Sequence, residues 1–109
     1  MKTGDLKKRA TLRAPVEDRD ADGQIVQSFA DRGVVWAHLR PLRGGEAVMQ
    51  ARMQSRSPAI VTVRRSTITT PITSEWRVII DGRDYAVRED PRETDDRAFL
   101  EFLVEAGAK

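Results

Sequence analysis

Two short runs with β-branched and aromatic residues, 76–80 and 83–87, are separated by only Asp81 and Gly82. Aspartate followed by glycine suits a type I′ turn, because both central residues of that turn need a positive φ angle. The spacing therefore predicts a tight β-hairpin. A tight hairpin joins antiparallel neighbours, so this feature favours an antiparallel sheet as the framework of the fold.

Short strands are predicted along most of the remaining chain. Residues 9–14 alternate between small or apolar and polar side chains, which is typical of a half-buried strand, and Pro15 is expected to stop it. Residues 17–23 are mostly acidic and predict a turn. Further strands are predicted at residues 24–29, 34–39, 59–65 and 99–104. The last of these runs could also form a short helix, but its alternation and its aromatic residues favour a strand.

One helix is predicted, at residues 46–54, which are mainly good helix formers and follow a glycine pair. At two to three turns it is marginal by itself. Six or seven strands and one helix indicate a mainly β chain. The expected fold is a small six- to seven-stranded antiparallel barrel or sandwich with one short helix and a long mobile loop. Residues 1–109 are expected to form a single domain.

Composition narrows the classes of function. The 109 residues include no cysteine, which excludes disulfides, thiolate metal sites and cysteine nucleophiles and favours the cytosol. No apolar run approaches the length of about 18 residues that a membrane span needs, so no membrane partner is expected. The first residues have no apolar segment typical of a signal peptide.

The net charge is only +2, but the charges are unevenly placed. Residues 40–65 hold six arginines and one acid, whereas residues 88–105 hold three arginines and seven acids. One interpretation is an ordinary solvated surface of mixed charge. The other is self-association, in which the basic part of one copy meets the acidic part of the next and closes a ring. The candidate subunit-contact charges are Arg64, Arg65, Glu93, Asp95 and Asp96.

No motif supports catalysis or a cofactor. Asp18, Asp20 and Asp22 have the spacing of a calcium loop, but Phe29 occupies the position of the bidentate glutamate, so a polar hairpin tip is favoured. The single histidine, His38, has no second ligand or catalytic partner in its motif and is interpreted as structural. We therefore expect no enzyme activity, no metal site and no cofactor.

Several short motifs follow one another along nearly the whole chain. They are Gly4-Asp5-Leu6 before the first strand, the turn ending in Asp22-Gly23, Val35-Trp36-Ala37, Pro41-Leu42, Gly45-Glu46, residues 60–64, Trp76-Arg77-Val78, residues 81–87, and Pro91 with residues 99–104. Their order and spacing resemble the siphophage head–tail joining proteins, also called head-closure or stopper proteins, of tailed phages, prophages and phage-like gene-transfer particles.

The resemblance implies a structural connector in the neck of a particle assembled in the bacterial cytoplasm. Many copies would form a ring below the portal and its adaptor, close the DNA exit after packaging and offer a surface to the tail terminator and tail proteins. Packaged double-stranded DNA would be contacted without sequence specificity, and the isolated chain can be monomeric. The implied channel or gating loop lies within residues 42–58, with candidate residues Arg43, Gly44, Gly45, Glu46, Arg52, Gln54 and Arg56.

A small β-barrel nucleic-acid-binding module is the alternative from a different class. Such a module needs aromatic side chains exposed on one face as a stacking platform. The tryptophans, the tyrosine and the phenylalanines all lie in or beside predicted strands, so packing in the core is the favoured interpretation for them. A calcium-dependent or enzymatic domain is a third and weaker possibility.

Overall fold

The computed structural model describes residues 3–42 and 57–106. Within them, a short 3-10 turn at Thr3–Asp5 precedes seven antiparallel strands. The strands are β1 (Lys8–Arg19), β2 (Ile25–Pro41), β3 (Ser57–Arg64), β4 (Arg77–Ile80), β5 (Arg83–Val87), β6 (Arg92–Glu93) and β7 (Phe99–Ala106). This confirms the predicted mainly β, six- to seven-stranded antiparallel architecture. The predicted helix at residues 46–54 and most of the predicted loop lie outside the described residues.

The sheet closes on itself. Six strands follow one another in the order β1-β2-β3-β7-β5-β4, and β4 pairs with β1 again, which completes a barrel. The closing contact is β3 against β7, which are paired over all eight residues of each strand. The two-residue strand β6, which the sequence patterns did not predict, adds to β7 beside β5. Closure leaves the body of the sheet without an open edge.

The barrel is filled by alternate side chains of its strands. Leu12, Val61, Val78, Ile80 and Phe102 are at most 1% exposed and form the centre of the core. The connection between β3 and β4 also contributes, because Ile72 and Trp76 are buried against this cluster. Burial of apolar surface on this scale is the main stabilising term of so small a fold.

The hairpin predicted at Asp81 and Gly82 is confirmed. Their φ angles are 53° and 75°, as a type I′ turn requires, and β5 spans the predicted residues. Lys8 Nζ donates to Asp81 Oδ2 at 2.7 Å, which ties this turn to the start of β1. That contact raises the pKa of Lys8, first through the hydrogen bond and then through the charge of the carboxylate.

Two predicted boundaries on the first hairpin are wrong. Pro15 does not stop β1, which continues to Arg19, and the runs 24–29 and 34–39 form one strand, β2. Pro15 is tolerated because β4 pairs with β1 only up to Arg13, so one side of β1 has no ladder partner at Pro15 among the described residues. The acidic residues 17–23 lie at the tip of a hairpin, as predicted. The turn itself is shorter than that run, because β1 ends at Arg19 and β2 begins at Ile25.

Residues 14–32 leave the barrel as a two-stranded extension, which we name the hairpin arm. β3 pairs with β2 only at residues 37–41, so the arm strands pair only with each other among the described residues. A bulge marks its base, where Leu12 faces Gly33, Arg13 faces Asp31, and Arg32 is the extra residue. Bulges bend a strand and increase its twist, which accounts for the departure of the arm here.

Gly33 is expected to be required at this bend. Its φ angle is +147°, and a β-carbon would lie 3.3 Å from Cγ2 of Ile68. Changing Gly33 to alanine should therefore lower the free energy of unfolding by about 1–3 kcal/mol. Urea denaturation measures this change. Gly4→Ala is the matched control, because its β-carbon meets open space, and it should stay within about 0.5 kcal/mol. Equal stability of the two variants would contradict a strained backbone at Gly33.

Candidate functional site

The predicted subunit-contact charges gather at one end of the barrel. Arg64 pairs with Phe99 across β3 and β7, and the backbone N–H of Arg65 donates to the carbonyl of Ala98. These pairings bring the basic end of β3 beside the acidic loop that precedes β7. Arg65 Nη1 lies 3.1 Å from Glu93 Oε1 in the same chain. The basic and acidic candidates are thus neighbours within one copy, and two of them neutralise each other.

Most acids of the C-terminal region have basic partners in the same chain. Glu105 lies 2.8 Å from Arg88, and Arg92 lies 3.2 Å from Glu101 and 3.7 Å from Glu89. Ion pairs at the surface contribute only about 0–1 kcal/mol each to stability. Their consequence here is electrostatic, since they reduce the negative field that the sequence indicated for residues 88–105.

Asp96 holds a turn. Its Oδ1 accepts hydrogen bonds from Thr94 Oγ1 at 2.6 Å and from the backbone N–H of Ala98 at 3.1 Å. The hydrogen bond from Thr94, followed by that from Ala98, lowers the pKa of Asp96. The adjacent Arg97 has a positive φ angle of 59° within this turn. Asp95 is exposed beside it.

An open depression of about 670 Å³ lies at the same end of the barrel. Its lining combines three guanidinium groups with hydroxyl groups, from Arg64, Arg65, Arg97, Ser66, Thr67 and Thr70. Neither Arg64 nor Arg97 has an ion-pair partner among the residues that the structure describes. Guanidinium groups suit a phosphate or carboxylate oxygen. Part of this lining is already engaged within the chain, because Arg65 pairs with Glu93 and the Thr70 hydroxyl donates to the carbonyl of Ser66.

The segment with the predicted gating residues joins β2 to β3, and both of its ends are fixed. Pro41 pairs with Ala59, and the backbone N–H of Leu42 donates to the carbonyl of Pro58 at 3.0 Å. The segment therefore starts and ends at one point on the barrel. The candidates themselves, Arg43, Gly44, Gly45, Glu46, Arg52, Gln54 and Arg56, lie outside the described residues.

The packing of the aromatic residues differs from expectation at Trp36. Trp76, Tyr85, Phe99 and Phe102 are buried, as predicted, and Phe29 is half-buried. Trp36 is 52% exposed, because Val35 and Ala37 take the inward positions on β2 and direct Trp36 to the outer face. The guanidinium of Arg9 lies 4.8 Å from the centre of its ring. The signal in the sequence for this exposure was the alternation of side chains along the strand, because an inward-facing Ala37 places its neighbour Trp36 on the outer face.

The acidic tip of the hairpin arm has a structural role. Asp20 Oδ1 accepts hydrogen bonds from the backbone N–H groups of Asp22 and Gln24, each at 2.9 Å, so this carboxylate stabilises the turn. Within residues 3–42 and 57–106, no cluster of three potential metal ligands occurs. His38 lies half-buried on β2, opposite Thr62 of β3. None of the described segments is a helix suited to crossing a lipid bilayer.

Removing the hydroxyl of Thr94 should raise the pKa of Asp96 toward its ordinary value of about 3.9. Because the folded-state pKa is lowered, this interaction stabilises the fold above that ordinary value and is lost as the pH falls through the folded value. The stability difference between wild type and Thr94→Ala should therefore shrink on acidification. An NMR titration of the Asp96 carboxyl carbon measures the pKa. Thr67→Ala is the control, and an unchanged pKa in Thr94→Ala would contradict the assignment.

Comparisons with known proteins give one family and two similar structures. The family model described as phage head completion protein matches residues 1–107. The solution structure of protein SF1141 from Shigella flexneri 2a has a TM-score of 0.73 and 21% identity, covering 100% of this chain and 99% of that chain. A chain in the virion of a native gene transfer agent particle has a TM-score of 0.64 and 19% identity, covering 92% of this chain and 93% of that chain. No curated protein sequence matches.

The two structural matches, at about one residue in five identical, show that the barrel and its connections are shared. The family match extends over nearly the whole chain and includes both the hairpin arm and the segment between β2 and β3. It confirms the resemblance that the order of the sequence motifs indicated. The chain belongs to the phage head completion protein family.

Proposed function

We propose that the chain assembles as a ring below the portal and adaptor of a phage or phage-like particle, closes the DNA exit after packaging and presents the attachment surface for the tail. The observation that carries this proposal is the family match over residues 1–107. Membership of the family makes the chain a structural virion component with a role in head closure. The ring, the neck position, the tail contact and assembly in the bacterial cytoplasm are the finer parts of the proposal.

The closed barrel supports a ring. Its body has no open edge among the described strands, so subunits meet through defined faces and arms rather than through uncontrolled strand addition. The principal extents of the chain are 48 × 36 × 22 Å, which is a flat and elongated shape. A flat subunit of this kind packs side by side around an axis.

The gate is proposed to lie in the segment between β2 and β3. Its residues include Arg43, Arg52 and Arg56, together with the glycine pair. Both ends of the segment are held by the pairing of Pro41 with Ala59 and by the Leu42–Pro58 hydrogen bond. Repeated around a ring, even one arginine per copy would present a belt of positive charge to DNA phosphates, a contact that does not depend on sequence.

The candidate subunit-contact charges remain part of the proposal, with unequal support. Arg65 and Glu93 already pair within the chain, and Asp96 holds its own turn. Arg64, which has no ion-pair partner among the described residues, and Asp95, which is exposed, are therefore the better candidates for contacts between copies. The depression beside Arg64 and Arg97 is suited to an acidic group or a phosphate of a neighbour.

Deleting the reading frame in the producing cell should give tailless heads that contain portals but no DNA. The physical reason is that packaged DNA would be free to leave through an exit that nothing closes. Electron microscopy of purified particles, with DNA content measured after nuclease treatment, tests this. Expression of the intact chain from a second copy is the control and should restore tailed, filled particles. Normal particles without the chain would contradict the proposed function.

Replacing Arg43, Arg52 and Arg56 together with glutamine should lower the fraction of heads that retain DNA while leaving the chain in the particle. The change removes three positive charges per copy from the proposed gate and leaves the barrel untouched. A matched control replaces Arg83, an exposed residue of the Asp81–Gly82 hairpin, with glutamine. Retention equal to that of wild type would show that these arginines do not face the DNA.

A further inference from the structure

The distal part of the hairpin arm, residues 16–28, has no strand partner outside the arm among the described residues. These residues form a two-stranded ribbon. A lone two-stranded hairpin is marginally stable in water, since it needs a third strand or another surface to pack on. The base of the arm has such a surface, where Ala14 and Arg32 lie beside Ile68 and Trp76, but the distal part extends beyond it.

The tip of the arm is both apolar and acidic. Ile25 is 62% exposed and Val26 is 43% exposed, and alternation along β2 directs them to opposite faces of the ribbon. Residues 17–22 carry four acids and one arginine, a net charge of −3. Exposed branched side chains at the end of a projecting hairpin are unfavourable in water. They are suited to insertion into an apolar site with a positive rim.

A surface of that chemistry lies on the same chain, around Trp36. We name it the Trp36 patch and define it by Leu6, Lys7, Arg9, Val34 and Trp36. The exposed fractions of Trp36 and Val34 are 52% and 48%, and an open depression of about 460 Å³ borders Trp36, Leu6 and Lys7. Tryptophan and arginine are the residue types most enriched at the energetic centres of protein interfaces.

The rim of the Trp36 patch is basic. Lys7 and Arg9 are exposed cations with no carboxylate partner among the described residues, whereas Lys8, between them in sequence, is paired with Asp81. The charge of this rim is therefore opposite to that of the arm tip. Complementary charge of this kind favours encounter and fixes the register of two surfaces.

The two surfaces cannot meet within one copy. Ile25 and Trp36 lie on the same strand, 11 residues apart, which is roughly 36 Å at about 3.3 Å per residue. A contact between them must join different molecules, and it uses a different surface on each. Such a heterologous contact, repeated in every copy, closes a ring when the rotation between copies allows it.

We propose that the tip of the hairpin arm of one copy docks on the Trp36 patch of the next copy. The occupant of the patch is thus a second copy of this chain. We infer this because the acidic, apolar tip of the arm is complementary to the basic, aromatic patch. The inference rests on the proposed ring and specifies which surfaces form it. Ile25 or Val26 lies against Trp36, and Asp18 faces the cations of the rim.

Cross-linking in assembled particles tests this contact, because the chain has no cysteine of its own. The double variant Val26→Cys with Lys7→Cys replaces the chain in the producing cell, and purified particles are treated with a short bismaleimide. Most of the chain should move into a ladder of two, three and more covalently joined copies on a denaturing gel. Each single variant should give no ladder, since one cysteine per copy joins at most two molecules.

The matched control pairs Val26→Cys with Glu75→Cys, which places the second thiol on an exposed loop outside the Trp36 patch. A ladder from this control that equals the ladder from the test variant would overturn the proposal. So would cross-links to a different virion protein, which would make that protein the occupant. If the test variant restores tailed, filled particles and yet forms no ladder, the contact is wrong and the proposed function stands. If the chain is absent from wild-type particles, the proposed function itself fails.

Charge reversal provides an independent measurement. In the double-cysteine background, Arg9→Glu should lower the cross-linked fraction by about threefold or more, because it places like charges together at the contact. Adding Asp18→Lys should restore the ladder, since the charges are then exchanged rather than lost. Failure of this restoration, with both variants present in the particles at wild-type amounts, would contradict the assignment of these two residues.

Discussion

Pairing of β3 with β7 is the contact on which the rest of the structure depends. It joins residues 57–64 to residues 99–106, two segments far apart in sequence, over eight consecutive positions. This pairing closes the sheet, and closure gives Phe102, Val61 and Val104 an interior to fill. Because non-local pairing of this kind requires closing a long loop first, the barrel gains its stability only when the last strand is in place.

Local patterns in the sequence were sufficient to predict the positions of most of the strands. Asp81-Gly82 predicted its hairpin with the correct bounds for β5, and alternation identified the strand around Phe102. What local patterns missed was the extent of β1 and β2. Pro15 indicates a strand end only where its missing N–H is needed in a ladder, and that depends on where β4 stops, which is a property of the whole sheet.

The candidate site was predictable in part, for the same reason. Runs of charge in the sequence located the basic and acidic regions, but not their pairing, and Arg65 with Glu93 shows that the two regions meet within one copy. Trp36 was expected in the core because it lies in a predicted strand, whereas the closed sheet gives the inward positions to Val35 and Ala37. In the connection between β3 and β4, Ile72 is buried in the core and Thr69 donates to the carbonyl of Arg64, a packing that depends on the closed sheet.

Strand β2 links the two elements that the proposals use. It begins at the tip of the hairpin arm and ends at Pro41, where the segment with the candidate gating residues begins. β2 pairs with β1 from Ile25 to Ala37, first within the hairpin arm and then in the barrel wall, and with β3 at its final five residues. The backbone hydrogen bonds between β2 and its neighbours β1 and β3 resist a displacement of the base of the arm relative to the barrel. The pairing of β2 with β3 also anchors residues 41 and 42. The barrel thus serves as a rigid spacer between the segment with the proposed gating residues and the surface on which we propose that neighbouring copies meet.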